Sequence, residues 1–272
     1  MVDFSKDFAI FILSHNRAHK IDTLKMVMKS NYKGAWFVVI SVDNTQIEQY
    51  KEIVPKENLL IFDKHDIEVD MMKSTNGEVF GAATYARNFI LNYASERYKY
   101  FLMIDDDISD VRFKMDVDGK TKDKLATNCL SEILEGIVEY LDGSDKLACI
   151  GLANSDAHFG GIRAFSTVDR DVQQAMLFKS SNVRMFRGLI WEDAILSTDN
   201  FDLVYLTLKR VYVQSPVMGK GSVVEYNKDK TPAAWYWFMV APTAVKITGP
   251  MSRLSVNKYL YPKIINEEFK KL

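Results

Sequence analysis

Three consecutive carboxylates follow directly on an apolar run near the middle of the chain. The run Tyr-Phe-Leu-Met-Ile occupies 100–104, and Asp105, Asp106 and Asp107 come next. An unbroken apolar run of strand length is typical of a strand buried on both faces, as in a parallel sheet. Because side chains alternate along a strand, Asp105 and Asp107 are expected on one side and Asp106 on the other. The pattern favours a Mg²⁺ or Mn²⁺ site that is completed by phosphates, with an acidic surface turn or a helix cap at Asp110 as the alternative.

Further polar motifs stand at predicted strand ends and helix starts. They are Ser14-His15-Asn16-Arg17, Asp43-Asn44, Gly81 ahead of a helix bearing Arg87-Asn88, and Trp191-Glu192-Asp193. Each also has a structural interpretation: Ser14 or Asn16 as a helix cap, Asp43 as a turn residue. Arg87 could form an ion pair with an acid at a neighbouring strand end. Acids in the first turn of a helix are favoured by its dipole whatever their function, which is the alternative for the Glu-Asp pair.

In their order along the chain, these motifs resemble the GT-A fold of nucleotide-sugar-dependent glycosyltransferases, over roughly residues 8–200. Within that fold the chain is similar to the phage glycosyltransferases associated with TET/JBP-type base hydroxylation, which add sugars to hydroxymethylated pyrimidines in DNA. The resemblance implies an α/β fold with a Rossmann-like, mostly parallel central sheet flanked by helices and an elaborated C-terminal acceptor half. It also implies a UDP-sugar donor, Mn²⁺ or Mg²⁺ as cofactor, and 5-hydroxymethylcytosine in double-stranded phage DNA as acceptor.

The same resemblance assigns roles to individual residues. Nucleotide-sugar contacts are implied for Ser14, Asn16, Arg17, Asp43, Arg87, Asp105, Asp106 and Lys220. Asp107, with Asp105, would hold the metal, because a divalent cation stabilises the charge on a departing nucleoside diphosphate. Asp193 would deprotonate the acceptor hydroxyl in an inverting reaction, with Glu192 in a supporting role, although spacing does not decide between the two. Acceptor contacts are implied for Trp191, His158 and Gly161.

Two of these assignments have ordinary alternatives. Lys220 stands between two glycines, which suits a lid over the donor diphosphate or, equally, a basic turn. His158 could line an acceptor loop, ligate a metal or be a surface histidine. The aromatic run at 235–238 is expected as a buried strand, with stacking on a flipped base as the alternative.

The elements that must position these residues alternate between strands and helices, which favours a Rossmann-like sheet. Predicted strands cover 8–13, 36–42, 59–62, 100–104, 147–152, 175–178 and 183–186. Predicted helices cover 20–29, 47–53, 83–97, 126–141, 192–197 and 201–209. Residues 115–124 are polar and turn-rich, with Asp118-Gly119 in a hairpin position. We expect one domain over 1–272, with a nucleotide-sugar-binding half at 1–110 and an acceptor-binding half at 111–272.

Composition places few further limits on function. The 272 residues are 47% hydrophobic and 26% charged, as in an ordinary globular protein. Apolar runs are too short for a membrane span, and the start is no signal peptide, so a cytoplasmic protein is expected, in the host cytoplasm if phage-encoded. Cys129 and Cys149 are expected to be reduced packing residues. Residues 209–272 carry 11 Lys/Arg against 4 Asp/Glu, a surplus of 7 that suits contact with a polyanion or, equally, a solvated tail.

Other classes of protein share part of the pattern. A haloacid-dehalogenase-type phosphatase needs its Asp-any-Asp on the first strand, whereas here it lies beyond residue 100. A nucleotidyltransferase needs a glycine-rich basic loop after the first strand, and residues 14–17 contain no glycine. A glycosyltransferase acting on a glycan or a small alcohol, and a non-catalytic nucleotide-sugar-binding module, remain open alternatives. Hydrolysis of a donor in the presence of Mn²⁺ would separate an enzyme from a binding module.

Overall fold

The structure, a computed structural model, describes residues 3–70, 82–118, 120–154, 166–167, 173–199, 202–215, 231–242, 245–248 and 255–258. Its strands are β1 (Phe8–Leu13), β2 (Ala35–Ser41), β3 (Leu59–Phe62), β4 (Tyr100–Asp105), β5 (Asp110–Val117), β6 (Lys120–Leu125), β7 (Leu147–Asn154), β8 (Ser166–Thr167), β9 (Ala175–Lys179), β10 (Val204–Gln214), β11 (Val245–Thr248) and β12 (Ser255–Lys258). Its α-helices are α1 (Asp22–Lys29), α2 (Ile47–Ile53), α3 (Ala82–Ser95), α4 (Leu130–Asp142), α5 (Glu192–Leu196) and α6 (Thr231–Val240).

A ten-stranded sheet holds the first ten strands together. Nine of them follow the order β3-β2-β1-β4-β9-β7-β10-β5-β6, and β8 pairs with β10. All but β5, β8 and β9 run in one direction, so the carboxyl ends of β1, β2 and β4 meet at one edge. Strands β11 and β12 form a separate antiparallel pair. The prediction of an α/β fold with a mostly parallel central sheet is confirmed.

Apolar side chains cover both faces of this sheet. Tyr100, Leu102 and Ile104 of β4 belong to the core beneath α1, α2 and α4. Phe101 and Met103 belong to the opposite core, beneath α3. The strands are therefore buried on both sides, which is why they read as continuous apolar runs. Because of the same alternation, Asp105 emerges on the α3 face and Asp106 on the α1 and α2 face.

Three predicted elements were wrong. Residues 183–186 form no strand, because Asn88 on α3 takes both backbone hydrogen-bonding groups of Phe186. The predicted helix at 201–209 is replaced from Val204 onward by β10, whose side chains alternate between the two cores. The aromatic run at 235–238 lies on α6, where Tyr236 and Trp237 are buried and Trp235 is exposed. Short apolar runs of this kind do not distinguish a strand from a buried helix.

The predicted hairpin is confirmed, and the prediction for the two cysteines is confirmed in part. Strands β5 and β6 form a hairpin that turns at Asp118, a residue with a positive φ of 55°. Cys129 and Cys149 are both free, but Cys129 is exposed and is not a packing residue. None of the helices among the described residues is long and apolar enough to span a membrane.

Candidate active site

The three carboxylates lie in a turn at the carboxyl end of β4, and Asp106 anchors that turn. Its side chain is only 6% exposed and accepts hydrogen bonds from Ser14 Oγ at 2.5 Å and from Arg17 Nη1 at 2.7 Å. These partners come from the end of β1, the neighbouring parallel strand. Asp106, Ser14 and Arg17 therefore hold each other across the strand ends.

Asp107 follows in the same turn and is less fully engaged. Its Oδ1 is buried without a hydrogen-bond partner among the described residues. Its Oδ2 lies 3.9 Å from Nη1 of Arg17, the guanidinium that also holds Asp106. A buried carboxylate oxygen without a donor is costly unless a cation or another donor meets it. Asp107 is consequently the acid of this turn that is best prepared to accept a ligand.

Tyr50 of α2 is part of this network, although nothing in the sequence distinguished it. Its hydroxyl lies 2.6 Å from Ser14 Oγ and accepts a hydrogen bond from the Arg17 backbone N–H at 3.1 Å. Tyr50 is completely buried. Through these two contacts it fixes the loop after β1. Thr23, at the start of α1, was also missed and contacts the backbone of the acid turn.

The loops after β1 and β2 are joined side by side. Asn16 has a positive φ of 53°, and its Oδ1 accepts hydrogen bonds from the backbone N–H and the hydroxyl of Thr45, each at 2.8 Å. Asp43 accepts a hydrogen bond from Ser41 and forms an ion pair of 2.6 Å with Lys64. Two of the polar motifs predicted from the sequence thus share one rim at the same sheet edge as the acid turn.

Arg87 connects the acid turn to the second acidic motif. It lies on α3, and its Nη1 is 2.8 Å from Oε1 of Glu192, at the start of α5. Its Nη2 is 3.9 Å from Oδ1 of Asp105. The structural alternative, an ion pair with an acid at a strand end, is therefore present, together with a stronger pair to Glu192. Two acidic motifs far apart in the sequence meet at one guanidinium.

The segment that leads into α5 has an unusual backbone. Gly188 has a φ of 74°, where a β-carbon would come within 2.8 Å of Ile195. Trp191 has a φ of 60°, in the left-handed region that a bulky side chain rarely adopts. The Trp191 ring lies 5.8 Å, between centroids, from that of Trp237 on α6. Glu192 and Asp193 are thus presented from a tightly constrained turn.

Burial dominates the electrostatics of the site. It raises the pKa of Asp105 to about 7 although Arg87 acts in the opposite direction, with Asp107, Asp106 and Glu192 adding to the rise. Burial likewise raises the pKa of Asp106 to about 6, against the lowering by Ser14 and Arg17. So many carboxylates in one region favour the binding of a cation.

The pKa values of the two acids of α5 are raised as well. Burial raises the pKa of Glu192, and Arg87 lowers it to a smaller extent. Burial also raises the pKa of Asp193, again against Arg87 and a hydrogen bond from the Ala194 N–H. Carboxyls with raised pKa values are suited to accept a proton during a reaction.

Some predicted site residues lie outside the described residues. These are Gly81, His158, Gly161 and Lys220. The remaining ones lie at the carboxyl edge of the sheet, on α3, on α5 or directly before α5. Among the residues that the structure describes, no three histidine, cysteine or acidic side chains are grouped to hold a metal ion by themselves. The unpartnered oxygen of Asp107 beside Asp105 fits a cation whose other ligands come from a bound phosphate group.

Solved structures similar to this chain differ greatly from it in sequence. A mycobacterial protein has a TM-score of 0.51 and 9% identity, over 93% of this chain and 84% of that one. Glucosyl-3-phosphoglycerate synthase from Mycobacterium tuberculosis, solved with Mn²⁺, UDP-glucose and phosphoglyceric acid, has a TM-score of 0.45 and 10% identity, over 96% and 91%. Mannosyl-3-phosphoglycerate synthase from Rubrobacter xylanophilus has a TM-score of 0.47 and 9% identity, over 94% and 87%. A comparison with curated proteins gave no match.

A family model matches most of the chain. The model describes the TET-associated glycosyltransferases and matches residues 8–214, which include every strand from β1 to β10 and all the acids of the site. The resemblance inferred from the motifs is confirmed by this match. The chain belongs to the TET-associated glycosyltransferase family, and it is a glycosyltransferase.

Proposed function

We propose that this glycosyltransferase moves a sugar from a UDP-sugar to the hydroxymethyl group of 5-hydroxymethylcytosine in phage DNA, with inversion at the anomeric carbon. One observation carries the proposal. Arg87 contacts both Asp105 of the acid turn and Glu192 of α5, so a donor-side and an acceptor-side acidic motif form a single site. The family name supports an acceptor linked to TET-type base hydroxylation.

The rim formed by the loops after β1 and β2 would bind the nucleotide. Asn16 and Asp43 present polar groups there, while Ser14 and Arg17 are held by Asp106. A nucleoside needs hydrogen-bond partners for its base and ribose, and the carboxyl edge of an open parallel sheet is the usual place for them. We therefore assign nucleotide contacts to this rim, within the N-terminal half, residues 1–110, of a single domain.

Asp107 and Asp105 would hold Mn²⁺ or Mg²⁺. When bound, such a cation would offset the negative charge on the departing nucleoside diphosphate. Asp106, by contrast, keeps its position through Ser14 and Arg17 and would act on the donor by fixing the turn. Lys220, beyond the described residues, is proposed to contact the diphosphate. Two protein carboxylates leave most of the coordination shell to the donor, so metal and donor should bind interdependently.

Asp193 would serve as the general base. It takes the proton of the acceptor hydroxyl while that oxygen forms a bond to the anomeric carbon and the bond to the diphosphate oxygen breaks. Its Oδ1 accepts the Ala194 N–H at 2.8 Å, which fixes the carboxylate and leaves the second oxygen for the acceptor. Trp191, His158 and Gly161 are proposed to contact the acceptor within the half formed by residues 111–272.

Two assays in sequence test this function. Melting of the protein with a panel of nucleotide sugars, with and without Mn²⁺, should identify the donor by the largest metal-dependent shift. That donor is then offered with hydroxymethylated and unmodified DNA duplexes of the same sequence. Transfer to the hydroxymethylated duplex alone supports the proposal. Transfer to a glycan or a small alcohol, without transfer of sugar to either duplex, would remove DNA as the acceptor.

A further inference from the structure

Arg87 is buried, and a buried charged residue needs partners that compensate its charge. Its side chain is 6% exposed and that of Glu192 is 7% exposed, and 2.8 Å separates their nearest atoms. The guanidinium carbon also lies 5.3 Å from the centre of the Phe186 ring. Burying two charges is expensive unless the geometry is good, and removing one partner leaves the other uncompensated. The pair therefore fixes the start of α5 relative to α3.

We propose that Arg87 is a positioning residue that aligns the base-bearing helix α5 with the acid turn, and that Glu192 is its fixed counter-charge and not a base. The inference rests on the proposed function insofar as it takes Asp193 as the base. It goes beyond that function by giving separate roles to two adjacent carboxylates. It also names the residue through which the donor and acceptor parts of the site are held at a fixed distance.

Helix α5 depends on such external support because it is very short. It has five residues, and a helix of that length is not stable in isolation. The segment before it is held by α3: Thr84 Oγ1 donates to the Gly188 carbonyl at 2.8 Å, and Asn88 bonds both backbone groups of Phe186 at 2.8 and 3.0 Å. Thr84, Arg87 and Asn88 are three and four residues apart, so they occupy one face of α3.

Glu192 and Asp193 differ in what their carboxylates can do. Glu192 forms the 2.8 Å ion pair with Arg87, whereas the Asp193 carboxylate accepts a hydrogen bond from the Ala194 N–H. Glu192 is buried against the guanidinium, and a proton on Glu192 would remove its half of the ion pair. Asp193 is partly exposed. Of the two positions, that of Asp193 is therefore better suited to a carboxylate that must accept a proton in each turnover.

The charges around Arg87 make its removal measurable. Two guanidiniums, Arg17 and Arg87, stand among the five carboxylates of the turn and α5. Arg87 lowers the pKa values of both Glu192 and Asp193. Without this cation, the pKa of the Asp193 carboxyl group should rise. A purely structural contribution of Arg87 would lower stability but leave the pH dependence of turnover where it is.

The test compares R87M, R87K and the double variant R87M/E192Q with the wild type. The matched control is R97M, which changes a half-exposed arginine in the turn that follows the same helix. Each protein is measured for kcat, donor KM, the pH profile of kcat, and melting temperature. For R87M we expect a loss of about 10²-fold in kcat, because a misplaced base loses its alignment. Donor KM should change far less, and the acid limb of the profile should move to higher pH.

The other variants separate charge from geometry. R87K retains a cation but not the planar fork that reaches both acids, so its kcat should fall between those of R87M and the wild type. In R87M/E192Q the buried position 192 no longer carries a charge without its partner, so kcat and melting temperature should both recover in part relative to R87M. R97M should match the wild type in both quantities.

Several results would overturn the inference. One is an R87M or R87K enzyme with wild-type kcat and pH profile. Another is a double variant no faster than R87M, which would mean that the Glu192 carboxylate itself is required. If R87M does not fold, R87K and the double variant still decide the question. A wild-type protein that transfers no sugar would instead refute the proposed function. A double-mutant cycle of melting temperatures, which adds the single variant E192Q, then remains decisive, because additive effects of R87M and E192Q would show that the two residues are not coupled.

Discussion

The hydroxyl of Thr23 is hydrogen-bonded to the backbone of the acid turn, where it donates to the carbonyl oxygen of Asp105. The hydroxyl oxygen of Thr23 in turn accepts a hydrogen bond from the Ile108 N–H at 2.9 Å. The Thr23 backbone N–H donates in turn to the Asp106 carbonyl at 3.1 Å. Thr23 is fully buried at the start of α1. One side chain outside the acidic motif therefore fixes the backbone on which Asp105 and Asp107 stand.

Thr23→Val should loosen the acid turn without changing its charge. Valine has the shape of threonine but leaves a buried carbonyl and a buried N–H unsatisfied, at a cost of about 1–3 kcal/mol for each unpaired group. We expect lower stability in urea and weaker metal-dependent donor binding. Thr23→Ser keeps the hydroxyl and is the control. Equal donor affinity in the valine and serine variants would show that the turn does not need this support.

Asp107→Asn tests the metal assignment. The asparagine keeps the size of the side chain but removes the charge beside the unpartnered position, so the protein should fold normally. Transfer should fall by several orders of magnitude, because the stabilisation of the leaving diphosphate is lost. Titration of Mn²⁺ followed by calorimetry, in the presence of the nucleoside diphosphate, should show loss of metal binding. Asp66→Asn, at an exposed acid, is the control. Full transfer by Asp107→Asn, or by the wild type in excess chelator, contradicts the assignment.

Asp193→Asn tests the base. Donor binding should remain nearly unchanged while kcat falls by about 10²–10⁴-fold, the usual contribution of a general base. Single-turnover rates at saturating donor provide the measurement. The comparison variant is Glu192→Gln, which should retain more activity because Glu192 is committed to Arg87. If Glu192→Gln is inactive and Asp193→Asn is not, the two roles are exchanged.

The pH dependence of turnover gives an independent check on Asp193. The reaction requires the deprotonated carboxylate, and burial raises the pKa of this group above the 3.8 of an ordinary aspartate. As the pH falls, the base should therefore be lost at a higher pH than for an exposed aspartate. The acid limb of kcat should disappear in Asp193→Asn. A limb that is unchanged in that variant would have to come from another group.

The sequence revealed the acids of the site but not the contacts between them. Asp105 to Asp107 were recognisable because charged residues directly follow a buried strand, and alternation correctly separated Asp105 from Asp106. The pairing of Arg87 with Glu192 joins residues 105 positions apart and depends on how α3 packs on the sheet. Local patterns carry no information on such a contact.

The missed residues have similarly physical explanations. Tyr50 and Thr23 are single polar residues on ordinary helices, and their function comes from what the fold places opposite them. Residues 204–209 were predicted as helix because short apolar runs fit both periods, and the two-sided burial of β10 decides in favour of a strand. Residues 235–238 were predicted as a strand and lie on a helix for the same reason, since α6 is apolar on nearly all sides.

The acceptor is tested by the salt dependence of binding. The surplus of 7 positive charges in residues 209–272 motivates the hypothesis that this part of the chain lies against a polyanion. A recessed active site requires the modified base to be flipped out of the duplex, at a cost of a few kcal/mol that phosphate contacts would have to offset. Binding to DNA should therefore weaken with salt, at a log–log slope of about −0.9 for each phosphate neutralised.

Charge reversal should alter that slope only where the chain meets DNA. Lys258→Glu and Lys263→Glu, chosen from the sequence alone, should flatten the slope and weaken binding to hydroxymethylated and unmodified duplexes alike, because phosphate contacts do not depend on the base. Donor hydrolysis should stay at the wild-type rate. The matched controls are Lys29→Glu and Lys56→Glu, which reverse two exposed charges of the N-terminal half. If all four variants change the slope equally, the effect is one of net charge. If none does, the C-terminal surplus does not contact DNA, and the acceptor must be held by other residues.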